Sequence, residues 1–311
     1  MKTVIEATNK PLAEKVKEQL RQTTGFSQQT VSEIREGLVK QAEQLPPLPG
    51  VVYREAGAEG IAGEWVHVED GTQLASDSVI LYLHGGGFVA GSATVYRDLA
   101  ARISRTSRTP VLTVNYRLAP EHPYPAAHED CLNAYRALIR LGFAPERILL
   151  GGDSIGASLV LMTLLQLRDE AAPLPSGAFL LSPHTDLVHL DGESYESNAK
   201  NDPTGSREAN ERLLSAYWQD RGTDIPLLLS PLRCDLSGLP PLLIQVGSDE
   251  VLLSDAVRFA TAAESVDVSV RLEIWESMWC AFQTMAFLLP EATAAIEHIG
   301  SFIRERLERL E

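Results

Sequence analysis

The sequence predicts an α/β fold with a mostly parallel, doubly wound sheet flanked by helices. Three observations predict it. Short apolar runs alternate with helical patterns from about residue 79 onward. Several of those runs are unbroken Val/Ile/Leu, as in parallel strands buried on both faces. Finally, 311 residues at 44% hydrophobic and 22% charged supply enough apolar material for one large sheet.

Taken in order, the first 45 residues read as two helices, because Leu12, Val16 and Leu20, then Ile34, Leu38 and Ala42, recur at helical spacing. Thr30 and Glu33 fit a capping box, each side chain satisfying the other's free backbone donor. Leu45-Pro46-Pro47-Leu48-Pro49-Gly50 ends the helix, since proline cannot donate and disfavours helix before itself. The organisation expected is a helical cap over residues 1–50, a core over 51–311, and a further cap insertion over 190–229, where the chain turns polar and irregular apart from a helical piece near Glu208–Trp218. In the core, Val51–Glu55 and Glu64–Glu69 read as a strand pair. Val79–Leu83, Pro110–Tyr116, Arg147–Leu150, Ala178–Leu181, Leu242–Val246 and Val268–Trp275 read as sheet strands. Helices fall between and after them, near Val95–Thr106, Ala126–Leu141, Ala157–Arg168, Ser254–Glu264 and Glu291–Leu310.

Lys plus Arg is 27 against 42 Asp plus Glu, a formal charge of −15. Such a surface repels polyanions, which excludes nucleic acid and anionic membrane as expected partners. Lys10, Glu14, Lys15 and Lys17 interrupt any leader-like apolar run, and the longest apolar stretch, Ala157–Leu167, is too short to span a bilayer. Cys131, Cys234 and Cys280 lack zinc-site spacing and cannot all pair, so a cytoplasmic protein without a metal site is expected.

Arg147-Ile148-Leu149-Leu150-Gly151 runs into Gly152-Asp153-Ser154-Ile155-Gly156 and then into an almost wholly apolar helix. This is G-x-S-x-G in a strand–turn–helix context, which holds a serine in strained backbone angles above the sheet at a helix N-terminus. The strain demands small residues two positions to either side. Leu83-His84-Gly85-Gly86-Gly87-Phe88 follows another strand, and its glycines let backbone N–H groups approach a substrate oxygen. Serine nucleophile and oxyanion donors together point to acyl transfer.

With these motifs, Asn115-Tyr116-Arg117-Leu118-Ala119-Pro120-Glu121-His122-Pro123-Tyr124-Pro125-Ala126-Ala127, Ser182-Pro183-His184-Thr185-Asp186 and Gly247-Ser248-Asp249-Glu250-Val251-Leu252, the chain resembles the hormone-sensitive-lipase family of α/β-hydrolase esterases over about residues 75–300. The resemblance implies an α/β-hydrolase core with a cap, no metal and no organic cofactor. It also implies hydrolysis of short- to medium-chain carboxylic esters through an acyl-enzyme. It assigns Ser154 as nucleophile, Asp249 as the acid that orients the base (with Glu250 and Asp255 as competitors), and Gly85, Gly86 and Ile155 as the oxyanion hole, with His84 shaping the loop.

One position departs from the family pattern. Trp275-Glu276-Ser277-Met278-Trp279-Cys280-Ala281-Phe282 keeps the frame of the family's base-bearing segment, yet Cys280 stands where that family has histidine. A thiol with a pKa near 8.5 is a poor general base and offers no second nitrogen for an acid to orient. Conversely, His184 stands where the family often has tryptophan, at the same carboxyl edge of the sheet as Ser154. The expectation is a relocated base, His184 serving Ser154. Two other readings compete with it: a catalytically impaired ligand-binding module on the hydrolase scaffold, as in plant gibberellin receptors that resemble this family, and an acyl-transfer variant, natural or engineered, using His184 as nucleophile. Phe88, Tyr195, Tyr217 and Trp218 are candidate substrate contacts. A homodimer is also open, although Ile299, Ile303, Leu307 and Leu310 on one helical face more often pack on their own sheet.

Overall fold

The computed structural model describes residues 1–23, 29–69, 77–219 and 224–308. A strand β1 (Lys2–Ile5) precedes helices α1 (Lys10–Thr23) and α2 (Val31–Glu43). Then come β2 (Val51–Glu55), β3 (Gly63–Val68), β4 (Val79–Leu83), α3 (Arg97–Ser107), β5 (Val111–Val114), α4 (Ala126–Arg140), β6 (Ile148–Asp153), α5 (Ile155–Asp169) and β7 (Gly177–Leu181). The insertion holds α6 (Ser194–Ser197) and α7 (Arg207–Trp218), and the chain closes with β8 (Leu242–Gly247), α8 (Leu253–Glu264), β9 (Val270–Trp275) and α9 (Pro290–Glu308).

All nine strands form one sheet in the order β1-β9-β8-β7-β6-β4-β5-β3-β2. From β1 to β5 every pairing is parallel; β3 and β2 join antiparallel at the far edge. Alternate residues feed two cores. Val79, Leu81 and Leu83 of β4 join α4, α5 and α8 on one face, whereas Ile80 and Tyr82 join α1, α3 and α9 on the other. Burying each such side chain is worth about 1.5–3 kcal/mol, so doubly covered strands carry no polar alternation. The registers Leu83↔Gly152, Asp153↔Leu181 and Gly247↔Trp275 bring the ends of five strands to one edge, where the catalytic motifs leave the sheet.

The expected helices recur with shifted ends. The Thr30–Glu33 capping box is formed in both directions. One expectation changes: residues 1–50 are not cap alone, because Lys2–Ile5 pairs parallel with β9 and extends the core sheet. A four-residue edge strand is too short to give a periodic signal. On α9, Ile299, Ile303 and Leu307 are buried in this chain's own core, whereas Leu310 lies outside the described residues.

The core also stores an acid. Asp255 in α8 is fully buried, and burial drives its pKa up to about 7; the Thr185 N–H acts in the opposite direction but stops short of hydrogen-bond geometry. The folded state therefore binds a proton that the unfolded chain has released above pH 4. Stability falls, by at most about 1.4 kcal/mol per pH unit, between about pH 4 and 7, and is flat above. Asp255→Asn should make that part of the urea-unfolding pH profile shallower and raise stability at pH 8.

Candidate active site

Ser154 bridges β6 and α5 with φ 51° and ψ −120°, the strained turn the motif demands. Its amide donates to Leu181 O at 2.8 Å, anchoring the turn to β7. A Cβ on Gly152 would come within 2.7 Å of the Leu83 carbonyl oxygen, and one on Gly156 would collide with that same oxygen. Only residues without a side chain fit on either side of the serine.

The residue before the nucleophile fixes the oxyanion loop. Asp153 Oδ1 accepts from Tyr82 Oη at 2.8 Å and from the Gly85 amide at 2.9 Å, and Oδ2 accepts from Tyr96 Oη at 2.9 Å. Burial still pushes its pKa up to about 6, against the pull of those donors. Gly85 was expected in the oxyanion hole, and this is corrected: its amide is already engaged. Gly86 and Gly87 line the cavity, have φ of 114° and 67°, and give their amides to no protein acceptor among the described residues. With the Ile155 amide at the start of a 15-residue helix, they are the free donors near Ser154. His84 braces the loop from behind, its Nδ1 2.7 Å from Gly85 O and its ring stacked on Tyr116 at 4.3 Å.

At the acid loop both oxygens of Asp249 are engaged. Oδ2 accepts from Lys17 Nζ at 2.5 Å and Oδ1 from Ser248 Oγ at 2.6 Å. The neighbouring Glu250 is fully buried; Oε2 accepts from Ser182 Oγ at 2.8 Å, and Oε1 has no partner among the described residues. Burial holds Glu250 well above the usual carboxylate range, and Asp202 adds to the shift.

At Cys280, burial raises the thiol well above its ordinary value. The strongest charge acting on it is Glu250, followed by Asp202 and Asp153; the Ser154 side chain pulls the other way, although the two form no hydrogen bond. The thiol is neutral and lines the same cavity as Ser154. His184 lines the same cavity, but its ring forms no hydrogen bond to Ser154 or to any other described residue. It is anchored through its carbonyl, which accepts from Ser158 Oγ at 2.6 Å, and burial lowers its pKa to about 4. Asp186, next but one, is bound instead to Ser230, Arg233 and His189.

Ser154, Cys280 and His184 open onto a cavity of about 220 Å3 roofed by Leu20, Leu38 and Leu45 of the N-terminal segment and by Leu213 of α7. The four aromatic candidates do not line it. Phe88 stacks on Tyr217 at 3.8 Å, Trp218 lies 5.5 Å from the Tyr124 ring, and Tyr195 packs under Arg207 and accepts from Asn210 Nδ2. They seal the insertion against the core, because large rings gain most from full burial.

A family profile described as alpha/beta hydrolase fold matches residues 80–284. An esterase from Acinetobacter venetianus is 38% identical over 258 residues, 83% of this chain and 84% of its own. An acetyl-hydrolase from Streptomyces hygroscopicus is 40% identical over 243 residues, 78% and 79% of the two chains. The crystal structure of an esterase from the bacterial hormone-sensitive lipase family superposes with a TM-score of 0.89 at 37% identity, covering 96% of this chain and 98% of that one. The chain belongs to the hormone-sensitive-lipase family of α/β-hydrolases.

The reaction class of this hormone-sensitive-lipase family member is carboxylic-ester hydrolysis. Its cavity is lined by Ser154, by Gly86 and Gly87, and by the neutral Cys280 thiol. No group of three or more His, Cys, Asp or Glu among the described residues is arranged to hold a metal, and no helix among them is long and apolar enough to cross a membrane. Sequence reading gave Lys17, Asp153 and Asp202 no role and kept Glu250 only as a competitor. Asp202, nearly buried, accepts from the Val251 amide at 2.8 Å and so ties the insertion to the acid loop. The one sequence signal that could have pointed to a partner for Lys17 is its place on the helical stripe of Ala13, Val16 and Leu20.

Proposed function

We propose that this protein is a carboxylesterase that works without a general base. It takes short- to medium-chain acyl groups onto Ser154 slowly and releases them more slowly still. Glu250, rather than Asp249, is the acid of the family's base-orienting pair, left facing Cys280. The observation that carries the reading is the unpartnered Glu250 Oε1 beside a neutral thiol: a buried carboxyl oxygen without a donor marks where an imidazole N–H belongs. Ser154 Oγ attacks the ester carbonyl, the negative charge moves to the carbonyl oxygen under the Gly86, Gly87 and Ile155 amides, and the alcohol leaves. With no base in place, the serine proton departs to water or to the leaving oxygen. Oxyanion donors and binding alone still retain about 10³–10⁴-fold over the uncatalysed reaction when triad members are lost.

His184 supports relocation less well. Its Nδ1 has no acid to stabilise a positive ring, and a base with a pKa of about 4 takes a proton poorly at pH 7. We assign it to the cavity wall.

The test uses p-nitrophenyl butyrate in excess over enzyme. The expected result is release of up to one equivalent of nitrophenolate followed by a much slower phase, with a butyryl mass increase on the peptide carrying Ser154. Ser154→Ala should show neither. Release at the Ser154→Ala rate with no adduct would instead favour the ligand-binding module. An adduct on His184 would favour the imidazole-nucleophile variant.

A further inference from the structure

The loop after β7 is tied to the nucleophile from two sides. The Ser154 amide donates to Leu181 O at 2.8 Å, and Ser158, one helical turn farther along α5, donates its hydroxyl to His184 O at 2.6 Å. A turn of helix is about 5.4 Å, so the His184 ring enters the Ser154 cavity near the reacting centre. This side chain is only 3% exposed, yet its ring has no hydrogen-bond partner among the described residues. Nδ1 is sealed from water as well, whereas Nε2 reaches the cavity. Burial lowers the ring's pKa to about 4, so near pH 7 one nitrogen carries a hydrogen and the other a lone pair. A sealed N–H without an acceptor costs more than a sealed lone pair, which puts the hydrogen on Nε2, a donor with nothing to give to. The carboxylates on the same wall are already engaged. Asp98 is held by Arg102, Asp153 by Tyr82, Tyr96 and the Gly85 amide, and Asp202 by the Thr204, Gly205 and Val251 amides. No Lys or Arg stands among the described residues that line the cavity. An anionic ligand group arriving there would meet three acids and no cation, whereas a neutral oxygen suits the free donor.

We propose that His184 determines substrate specificity: its Nε2–H binds a second, neutral acceptor oxygen of the ester, an ether or ketone oxygen a few atoms from the carbonyl that lies at Ser154. An apolar ring would wall the cavity without burying an unpaired donor. A histidine there gains only when the ligand supplies the missing acceptor. The inference rests on the reading of Ser154 as the ester-binding centre and adds the chemical class of the substrate, an oxygen-substituted ester rather than a plain alkyl one. Acyl and alcohol arms can present the same oxygen, and the experiment has a series for each.

The full-length Ser154→Ala protein removes turnover, and titration calorimetry reads Kd for ester pairs that differ by one oxygen in place of a methylene. Ethyl pentanoate is paired with ethyl 3-methoxypropanoate and with ethyl ethoxyacetate for the acyl arm, and butyl acetate with 2-methoxyethyl acetate for the alcohol arm. In at least one pair the ether should bind no more weakly than its methylene match, although water holds the ether oxygen more strongly. Adding His184→Phe, which keeps a planar ring without nitrogen, should shift the ether-to-methylene Kd ratio of that pair about tenfold against the ether, the worth of one neutral hydrogen bond. His184→Gln, which keeps a donor, should restore part of it. The ratio cancels general changes in cavity shape, so a merely structural histidine would leave it unmoved. Weaker binding of the ether in every pair, no binding of any ester, or the same ratio in a folded His184→Phe or His184→Gln protein would overturn the proposal. The outcome is separable from that of the acylation test. A missing burst in the wild-type protein removes Ser154 as nucleophile and leaves the ratios standing, whereas a burst without discrimination removes the role of His184 alone.

Discussion

Cys280→His should raise kcat/KM for p-nitrophenyl butyrate by about 10²–10⁴, the span a positioned general base supplies. Space is available, because Cys280 borders an open cavity rather than a packed core. An acid is available too: Glu250 Oε1 is buried and has no donor among the described residues, so an imidazole N–H arriving there meets a free acceptor. Today burial favours the neutral form of that carboxyl. A cationic ring beside it would favour the carboxylate, and each would stabilise the charge of the other. The pH profile follows. The neutral imidazole is the active form, so kcat/KM of Cys280→His should rise with pH through a value near the ordinary histidine pKa of about 6.5. The wild-type protein should lack that limb. The same variant decides between the adjacent acids. Glu250→Gln in the Cys280→His protein should remove most of the gain, and Asp249→Asn should not. The reverse ranking would return the role to Asp249 and overturn the assignment made from geometry.

Sequence reading placed the acid at Asp249, whereas the proposal of Glu250 rests on contacts that spacing does not carry. Signals carried by contiguous residues were legible: the apolar runs became doubly buried strands, the G-x-S-x-G turn has the strained serine, and Cys280 stands beside Ser154. Signals decided by partners far along the chain were not. Asp249 and Glu250 are adjacent, and their roles are sorted by a lysine 232 residues away and by a serine 68 residues away. The Gly85 amide is taken by Asp153, on another strand. The aromatic residues of the insertion have the composition of a pocket, yet their stacking turns them into a seal. Spacing reveals which residues share a helix face or a turn; it does not reveal which of two neighbouring carboxylates a distant cation neutralises.

That cation carries the second large effect. Lys17 Nζ, on a side chain only 1% exposed, bonds Asp249 at 2.5 Å and Glu14 at 2.7 Å. Taking an ammonium group out of water costs several kcal/mol, and the ion pair recovers this only while both partners stay. Lys17→Met keeps the volume and leaves Asp249 as a charge with one hydroxyl donor, in a site 24% accessible. Removing one partner of a fully buried pair costs 3–5 kcal/mol; partial access to water reduces this to about 2–3 kcal/mol, readable as a lower urea midpoint with an unchanged slope. Asp249→Asn should cost a similar amount, because Glu14 is largely exposed and compensates Lys17 poorly. The double variant Lys17→Met/Asp249→Asn should then be more stable than the sum of the single losses by about 1–3 kcal/mol, the signature of a coupled pair. Because Leu20 of the same helix roofs the Ser154 cavity, loosening α1 should also weaken ester binding while leaving the acid untouched. In the Cys280→His protein, Lys17→Met should therefore raise KM more than it lowers kcat. A fall in kcat with KM unchanged would mean instead that the lysine acts on the chemistry through Asp249, and that the ion pair is part of the catalytic apparatus rather than the latch that holds the cap.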